Sequence, residues 1–141
     1  MIDNLINIEM AGKILLGAQE CSKEINPLDY CMHAMNINLE VLEPASAEYQ
    51  TLMTYIRNTA ENEAQIRDLR GIFRLERKGE EERFEQHRDK ENRFLMFHGS
   101  KISNFMGILS QGLRIAPPEA PKTGYMFGKG IYLADMFKKS A

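Results

Sequence analysis

Cysteine and tryptophan are scarce in this sequence. It has no tryptophan, and its two cysteines are Cys21 and Cys31. Only His33 lies near enough in the sequence to suggest a metal ligand, whereas a structural zinc site requires four. We therefore interpret the cysteines as two reduced thiols of an intracellular protein without a metal, because disulfides follow the redox compartment.

Blocks of like charge and long apolar runs are also missing. The 18 basic and 20 acidic residues are spread along 141 positions and leave a net charge of -2. This predicts neither a nucleic-acid footprint nor a membrane footprint. The first 16 residues mix apolar and charged side chains, unlike a signal peptide, and no stretch reaches the roughly 20 apolar residues of a membrane span. We expect no membrane partner, and expect any DNA contact to come from domains outside this chain.

The glycine-rich segment at residues 123–130 fits neither common nucleotide-binding motif. A phosphate-binding loop would need glycine at Thr123 and a serine or threonine after Lys129, where Gly130 stands instead. The dinucleotide fingerprint fails because Leu133 occupies the place of its third glycine. These glycines instead favour a backbone that bends and approaches a ligand closely.

Apolar periodicity predicts a mixture of helices and strands without regular βαβ alternation, which is an α+β fold. We expect helices at 2–16, ending at Gly17, at 47–58, capped by Ser46, and at 102–109, capped by Ser100 or Ser103 and ending at Gly112. Alternating patterns predict strands at 37–41 and 72–77. A short extended piece is predicted at 113–116, another strand at 131–134, and a strand covered on both sides at 94–97. Residues 18–30 indicate a loop, 78–90 a solvated turn and short helix, and 135–141 the start of a helix.

His98, Gly99 and Ser100 directly follow the apolar run at 94–97, where side chains emerge into clefts. Alone, this triplet more often marks a hydrogen-bonded structural histidine than a ligand-binding one. The residues after it make the signal specific, and they are Asn104-Phe105, the string GILSQGLRIAPPEAP at 107–121, the segment 123–132 and Ala134-Asp135-Met136. Together these motifs resemble the signature of the DNA-dependent poly(ADP-ribose) polymerases.

The resemblance implies a domain organisation. Residues 1–17 are similar to the last helix of the family's helical regulatory domain, and residues 18–33 to a linker containing Asn26-Pro27-Leu28-Asp29-Tyr30. Residues 34–141 would form the N-terminal part of the catalytic domain. The implied structure is a partial ADP-ribosyltransferase fold, an antiparallel split sheet with flanking helices, in which NAD lies between two sheet portions.

The resemblance also implies roles for individual residues. Gly99 would hold the nicotinamide carboxamide through its backbone amide and carbonyl, and Ser140 would add a hydroxyl. Tyr132 would stack on the nicotinamide ring, and His98, its catalytic companion, would bind ribose hydroxyls on the adenosine side. The remaining matches are Ser100 and Arg114 at the adenosine end, and Met126 and Lys139 near the acceptor side.

For the whole protein, the resemblance implies a nuclear enzyme that transfers ADP-ribose from NAD to acceptor proteins and extends chains in response to DNA damage. No metal is implied. Cleavage of the bond between ribose and nicotinamide places positive charge on the sugar, so a nearby carboxylate should stabilise the transition state.

The family's catalytic glutamate comes from a strand far downstream of the tyrosine. Here the only glutamate after His98 is Glu119, in the proline-rich loop. Asp135 is not a substitute, because the family carries an aspartate there as well. A second nicotinamide-packing tyrosine, expected shortly after Ser140, is also absent. We therefore expect a fragment that is inactive alone. The alternative is a non-catalytic NAD-binding or interaction module.

Overall fold

The computed structural model describes residues 2–115 and 127–141, with side chains from residue 8 onward. It contains helices α1 (Ile2–Glu20), α2 (Pro27–Met35), α3 (Ala47–Thr59), α4 (Glu63–Arg67), α5 (Glu80–Phe84) and α6 (Ile102–Gln111). Strands β1 (Ile37–Val41) and β2 (Phe73–Arg77) pair in an antiparallel sheet. Short 3-10 turns cover Glu85–His87 and Phe137–Lys139. This mixture confirms the predicted α+β class.

The chain divides into two compact units. The first comprises residues 1–38 and 101–131, and the second comprises residues 39–100 and 132–141. Helices α1, α2 and α6 contact one another in the first unit. The second holds α3 to α5 and most of the sheet. The domain boundaries expected after residues 17 and 33 stay predictions.

Helix α1 is longer than predicted, because it passes through Gly17 and ends at Glu20. The Tyr30 side chain of α2 lies directly on Gly17, with the ring Cζ 2.8 Å from the position that a Cβ on Gly17 would take. Gly17 therefore permits close helix packing here and does not end the helix. Helix α1 contacts α2 and α6, although Ile8, Leu15 and Leu16 remain more than half exposed.

Helix α2 replaces much of the loop predicted around Pro27. The Asn26 side chain accepts a hydrogen bond from the Leu28 amide at 2.9 Å, and Pro27 occupies the first turn. Proline is well suited to that turn because its missing N–H would have no helical partner there. Asn36 ends the helix in the left-handed conformation, with φ of 55°.

Helix α3 confirms the predicted cap at Ser46. The Ser46 hydroxyl oxygen accepts from the Tyr49 amide at 3.2 Å and donates to the Glu43 carbonyl at 2.8 Å. The helix buries Met53 and Ile56, which lie three positions apart and therefore on one apolar face. Leu42, which follows β1, is also buried. This apolar face provides the small core of the second unit.

Helix α6 begins differently from the prediction. Its N-cap is Lys101, which makes no side-chain capping bond, so neither Ser100 nor Ser103 has the expected role. Its predicted end is confirmed, since Gly112 is the C-cap with φ of 79°. Glycine is favoured there because positive φ carries no Cβ penalty for it.

The sheet of the second unit agrees with the alternating patterns. The Leu42 amide donates to the Ile72 carbonyl at 2.9 Å beside the paired strands. Arg74 of β2 forms an ion pair with Glu40 of β1 at 2.6 Å and another with Glu48 of α3. Hydrogen bonding and charge from Glu48, with a smaller contribution from Glu40, raise the pKa of Arg74 above its ordinary value. These exposed pairs orient side chains more than they stabilise the fold.

The charged segment after β2 is a solvated turn and short helix, as predicted. Helix α5 and the 3-10 turn at Glu85–His87 occupy it, and Arg88 pairs with Glu81 and Glu85 at 3.1 and 2.8 Å. An additional short helix, α4, was not predicted. Its cap is Asn62, whose side chain accepts from the Ala64 and Gln65 amides at 3.0 and 3.2 Å.

The predicted buried strand at 94–97 is wrong. Phe94 is 76% exposed and Leu95 is 61% exposed. Phe97 forms an isolated antiparallel bridge with Ala134 instead of a strand. Apolar character alone does not make a strand, because a ladder requires a hydrogen-bonding partner from elsewhere in the chain.

One further strand prediction and one helix prediction also need correction. Residues 131–133 form no strand. Residues 113–115, where a short extended piece is expected, lie in neither a helix nor a strand, and Ala116 lies outside the described residues. After the bridge at Ala134, the expected helix is only the 3-10 turn at Phe137–Lys139. Within residues 2–115 and 127–141, no helix is both long and apolar enough to cross a membrane.

Replacing Ser46 with alanine should lower the free energy of unfolding by about 0.5–2 kcal/mol, because the Tyr49 amide loses its cap. Urea unfolding followed by circular dichroism measures this change. The S46D variant retains an acceptor and should stay close to wild type. Equal midpoints for S46A and wild type would show that the cap contributes nothing.

Candidate functional site

An antiparallel bridge joins the two segments that carry most of the predicted site residues. The Phe97 amide donates to the Ala134 carbonyl at 2.7 Å, and the Ala134 amide donates to the Phe97 carbonyl at 2.9 Å. His98, Gly99 and Ser100 follow one side of this bridge. Tyr132 precedes the other side and Ser140 follows it, so these five residues share the second unit.

His98 is tied to the backbone of Tyr132. Its Nδ1 lies 2.9 Å from the Tyr132 carbonyl oxygen. Because a carbonyl oxygen only accepts, Nδ1 carries the hydrogen, and in the neutral ring Nε2 is then an acceptor. The His98 side chain is exposed, so Nε2 can meet a hydroxyl donor from a ligand.

Gly99 lies directly against the backbone of Ser140. A Cβ on Gly99 would collide with the Ser140 carbonyl oxygen and would stand 3.0 Å from its carbonyl carbon. A residue with a side chain cannot keep this approach, because real Cβ contacts are longer. The close approach places the Gly99 backbone and Ser140 side by side, as recognition of one carboxamide by both residues requires.

Tyr132, Ser100 and Lys139 are the other predicted residues of this unit. Tyr132 is 42% exposed. Ser100 is half-buried, and Lys139 is exposed at the end of the last 3-10 turn. The roles expected for Ser100 and Lys139 stay predictions.

Two predicted residues lie elsewhere. Arg114 belongs to the first unit, where it is exposed in the segment after α6 and contacts the Gln111 side chain. Met126, together with residues 116–125 of the glycine- and proline-rich loop, lies outside the described residues. The structure therefore adds no geometry for the acceptor-side role of Met126.

Helix α3 supports the site through side chains that the apolar pattern does not single out. Tyr55 stacks on Phe97 with ring centroids 4.7 Å apart, and Phe97 meets Phe137 edge-on at 5.6 Å. The Thr59 hydroxyl oxygen accepts from the Phe137 amide at 3.1 Å. Two hydroxyl side chains four positions apart on a helix share a face, which is the only sequence signal that points to them.

A metal is not suggested by the side chains of the described ranges. Within residues 2–115 and 127–141, no three His, Cys, Asp or Glu side chains are grouped so that they could hold an ion. Cys21 and Cys31 are free thiols, each partly buried.

Comparison with known proteins identifies the family. The model of the poly(ADP-ribose) polymerase catalytic domain matches residues 46–141. The chain belongs to the poly(ADP-ribose) polymerase family. Over its whole length it is 47% identical to "Poly [ADP-ribose] polymerase 1" of Danio rerio, 48% to "Poly [ADP-ribose] polymerase" of Sarcophaga peregrina and 47% to "Poly [ADP-ribose] polymerase 2" of Zea mays.

The chain spans only a small part of these polymerases. It corresponds to 14% of the Danio rerio and Sarcophaga peregrina proteins and to 22% of the Zea mays protein. The matched catalytic region includes the bridge and both site segments. The resemblance stated from the motifs is thus confirmed, and the structure is consistent with a partial catalytic fold of this polymerase family. The roles of individual residues stay predictions.

The G99A variant should lose about 1–3 kcal/mol of unfolding free energy, because overpacking forces the Ser140 backbone away. Thermal and urea unfolding measure the loss. The control is G130A, since a Cβ on Gly130 would meet nothing within 4 Å. If G99A unfolds like G130A, the Gly99 and Ser140 backbones are not in close contact in solution.

Proposed function

We propose that this chain forms the nicotinamide and ribose part of an NAD site in a protein that transfers ADP-ribose. The observation that carries the proposal is that four predicted site residues lie in one unit and contact one another in two pairs. Gly99 lies against Ser140, while His98 is hydrogen-bonded to the backbone of Tyr132. By resemblance, Gly99, Ser140 and Tyr132 match the family's nicotinamide-binding positions, and His98 matches the position that binds ribose hydroxyls on the adenosine side.

A carboxamide presents one acceptor oxygen and two N–H donors. The Gly99 amide can donate to that oxygen, the Gly99 carbonyl can accept from the nitrogen, and the Ser140 hydroxyl can donate to the oxygen. Because the two residues are adjacent, one small planar group can meet both. The partly exposed ring of Tyr132 adds an aromatic face, which favours offset stacking on a nicotinamide ring.

His98 has a separate task in this proposal. The Tyr132 carbonyl orients the imidazole through Nδ1 and leaves Nε2 to accept from a ribose hydroxyl. Holding the ribose on the adenosine side in this way keeps NAD in one position and lowers the entropic part of the barrier. The resemblance to the family also leads us to propose adenosine-side roles for Ser100 and Arg114 and acceptor-side roles for Lys139 and Met126.

The residues described so far orient NAD but do not supply the carboxylate that stabilises positive charge on the sugar. Glu119 is the only glutamate after His98, and it belongs to the proline-rich loop. We propose that the 141-residue chain binds without turnover, and that the whole protein is a nuclear, NAD-dependent poly-ADP-ribosylating enzyme of the DNA damage response. Its partners would be NAD and acceptor proteins, with DNA contacted by other domains.

A second function is a non-catalytic NAD-binding or interaction module. It would need only the binding groups of Gly99 and Ser140, which lie in contact, and no carboxylate. Both functions require nicotinamide binding. The two functions differ in NAD turnover by a longer product of the same gene. Turnover by such a product supports the enzyme, and its absence supports the non-catalytic module.

Nicotinamide should bind the chain saturably, and Y132A should weaken binding by about three- to tenfold, because aromatic pairs contribute about 0.5–1.5 kcal/mol. Isothermal titration calorimetry or ligand-observed NMR measures the Kd. The control is F73A, which removes a half-exposed aromatic ring of β2 outside the site. Absence of saturable binding by the wild-type chain would reject the proposed site.

The purified chain should not modify itself when incubated with labelled NAD, because no side chain of the site supplies the carboxylate. Incorporation of label is followed on denaturing gels, with a complete polymerase as the positive control. Label that enters the wild-type chain but not H98A or Y132A would contradict the proposal that turnover requires a group outside these residues.

A further inference from the structure

The hydroxyl of Tyr55 lies between the two segments of the candidate site. It is 2.8 Å from the Asp135 carbonyl oxygen and 3.1 Å from the Leu95 carbonyl oxygen. A phenol carries one hydrogen, so the two carbonyls share it, with the closer contact at Asp135. Leu95 stands three positions before His98, and Asp135 stands three positions after Tyr132.

The same helical face makes further contacts with both segments. The Tyr55 ring stacks on Phe97, which is the bridge residue beside His98. One turn later, Thr59 donates to the Tyr55 carbonyl at 2.8 Å and accepts from the Phe137 amide at 3.1 Å. Tyr55 and Thr59 thus connect α3 to backbone atoms on both sides of the bridge.

We propose that Tyr55, assisted by Thr59, is a positioning residue for ligand binding. It holds the Leu95–Ser100 segment and the Tyr132–Ser140 segment at a fixed separation. This inference rests on the proposed function, because the spacing matters for a ligand that contacts Gly99 and Ser140 together. Binding geometry must be kept within about 0.5 Å, and the bridge itself contributes only two backbone hydrogen bonds to this alignment.

The contacts argue for positioning rather than for core packing alone. Both acceptors of the Tyr55 hydroxyl are backbone carbonyls, so the bonds fix main-chain positions and not side-chain rotamers. The buried residues of α3 are Met53 and Ile56, on either side of Tyr55 in sequence. Removing the Tyr55 hydroxyl leaves that core and the aromatic stack in place.

The test uses Y55F, which keeps the ring and removes only the hydroxyl. The Kd for nicotinamide is measured at a temperature at which circular dichroism shows every variant folded. Y55F should raise the Kd by roughly three- to tenfold, the effect of one lost hydrogen bond. The Phe97 and Ala134 amides, which form the bridge, should also exchange with deuterium faster. Y49F makes the same chemical change earlier on α3 and should leave both readouts near wild type.

Thr59 offers a second set of variants. T59V removes the acceptor for the Phe137 amide, and T59S keeps it and should restore the Kd. The matched control is T54V, because Thr54 also donates to the carbonyl four residues earlier, Gln50, at 2.8 Å. A raised Kd in T59V, with recovery in T59S and no change in T54V, supports the positioning role.

The outcomes separate this inference from the proposed function. If the wild-type chain does not bind nicotinamide, the proposed function is rejected. If the wild-type chain binds and Y55F binds with the same Kd, the positioning role alone is rejected. A rise in Kd that Y49F reproduces equally also rejects it, since the effect would then come from general destabilisation.

Discussion

The antiparallel bridge between Phe97 and Ala134 is the interaction on which the candidate site depends. These residues are far apart in the chain, yet their backbones exchange two hydrogen bonds. The bridge places His98 and Gly99 beside Tyr132 and Ser140. Because the flanking residues form no strand ladder, nearby side chains have to maintain the alignment that a longer ladder would otherwise provide.

Helix α3 provides that support from a stable position. Its first turn is capped by Ser46, its inner face buries Met53 and Ile56, and its outer hydroxyls reach the site segments. The helix thereby links a small hydrophobic core to main-chain atoms beside the site. For the proposed nicotinamide site, such alignment keeps the binding groups in a fixed arrangement.

Local signals predicted local structure well. The cap at Ser46, the end of α6 at Gly112 and the alternation of β1 depend on neighbours within a few residues, and the structure confirms all three. The predictions of secondary structure were wrong where one residue type is compatible with two local structures. Gly17 was interpreted as a helix end, although it admits the Tyr30 ring, and Pro27 as a loop residue, although proline also suits a first helical turn.

The residue motifs alone were sufficient to identify the polymerase family and the candidate residues His98, Gly99, Tyr132 and Ser140, because a long string of side-chain identities is specific without any coordinates. Tertiary structure was needed to show that Gly99 contacts the Ser140 backbone, that Nδ1 of His98 meets the Tyr132 carbonyl, and that the apolar run at 94–97 is largely exposed. The physical reason is that hydrogen bonds and burial between distant segments depend on how the chain folds back on itself. A pattern of neighbouring residues does not specify which distant segment they will contact.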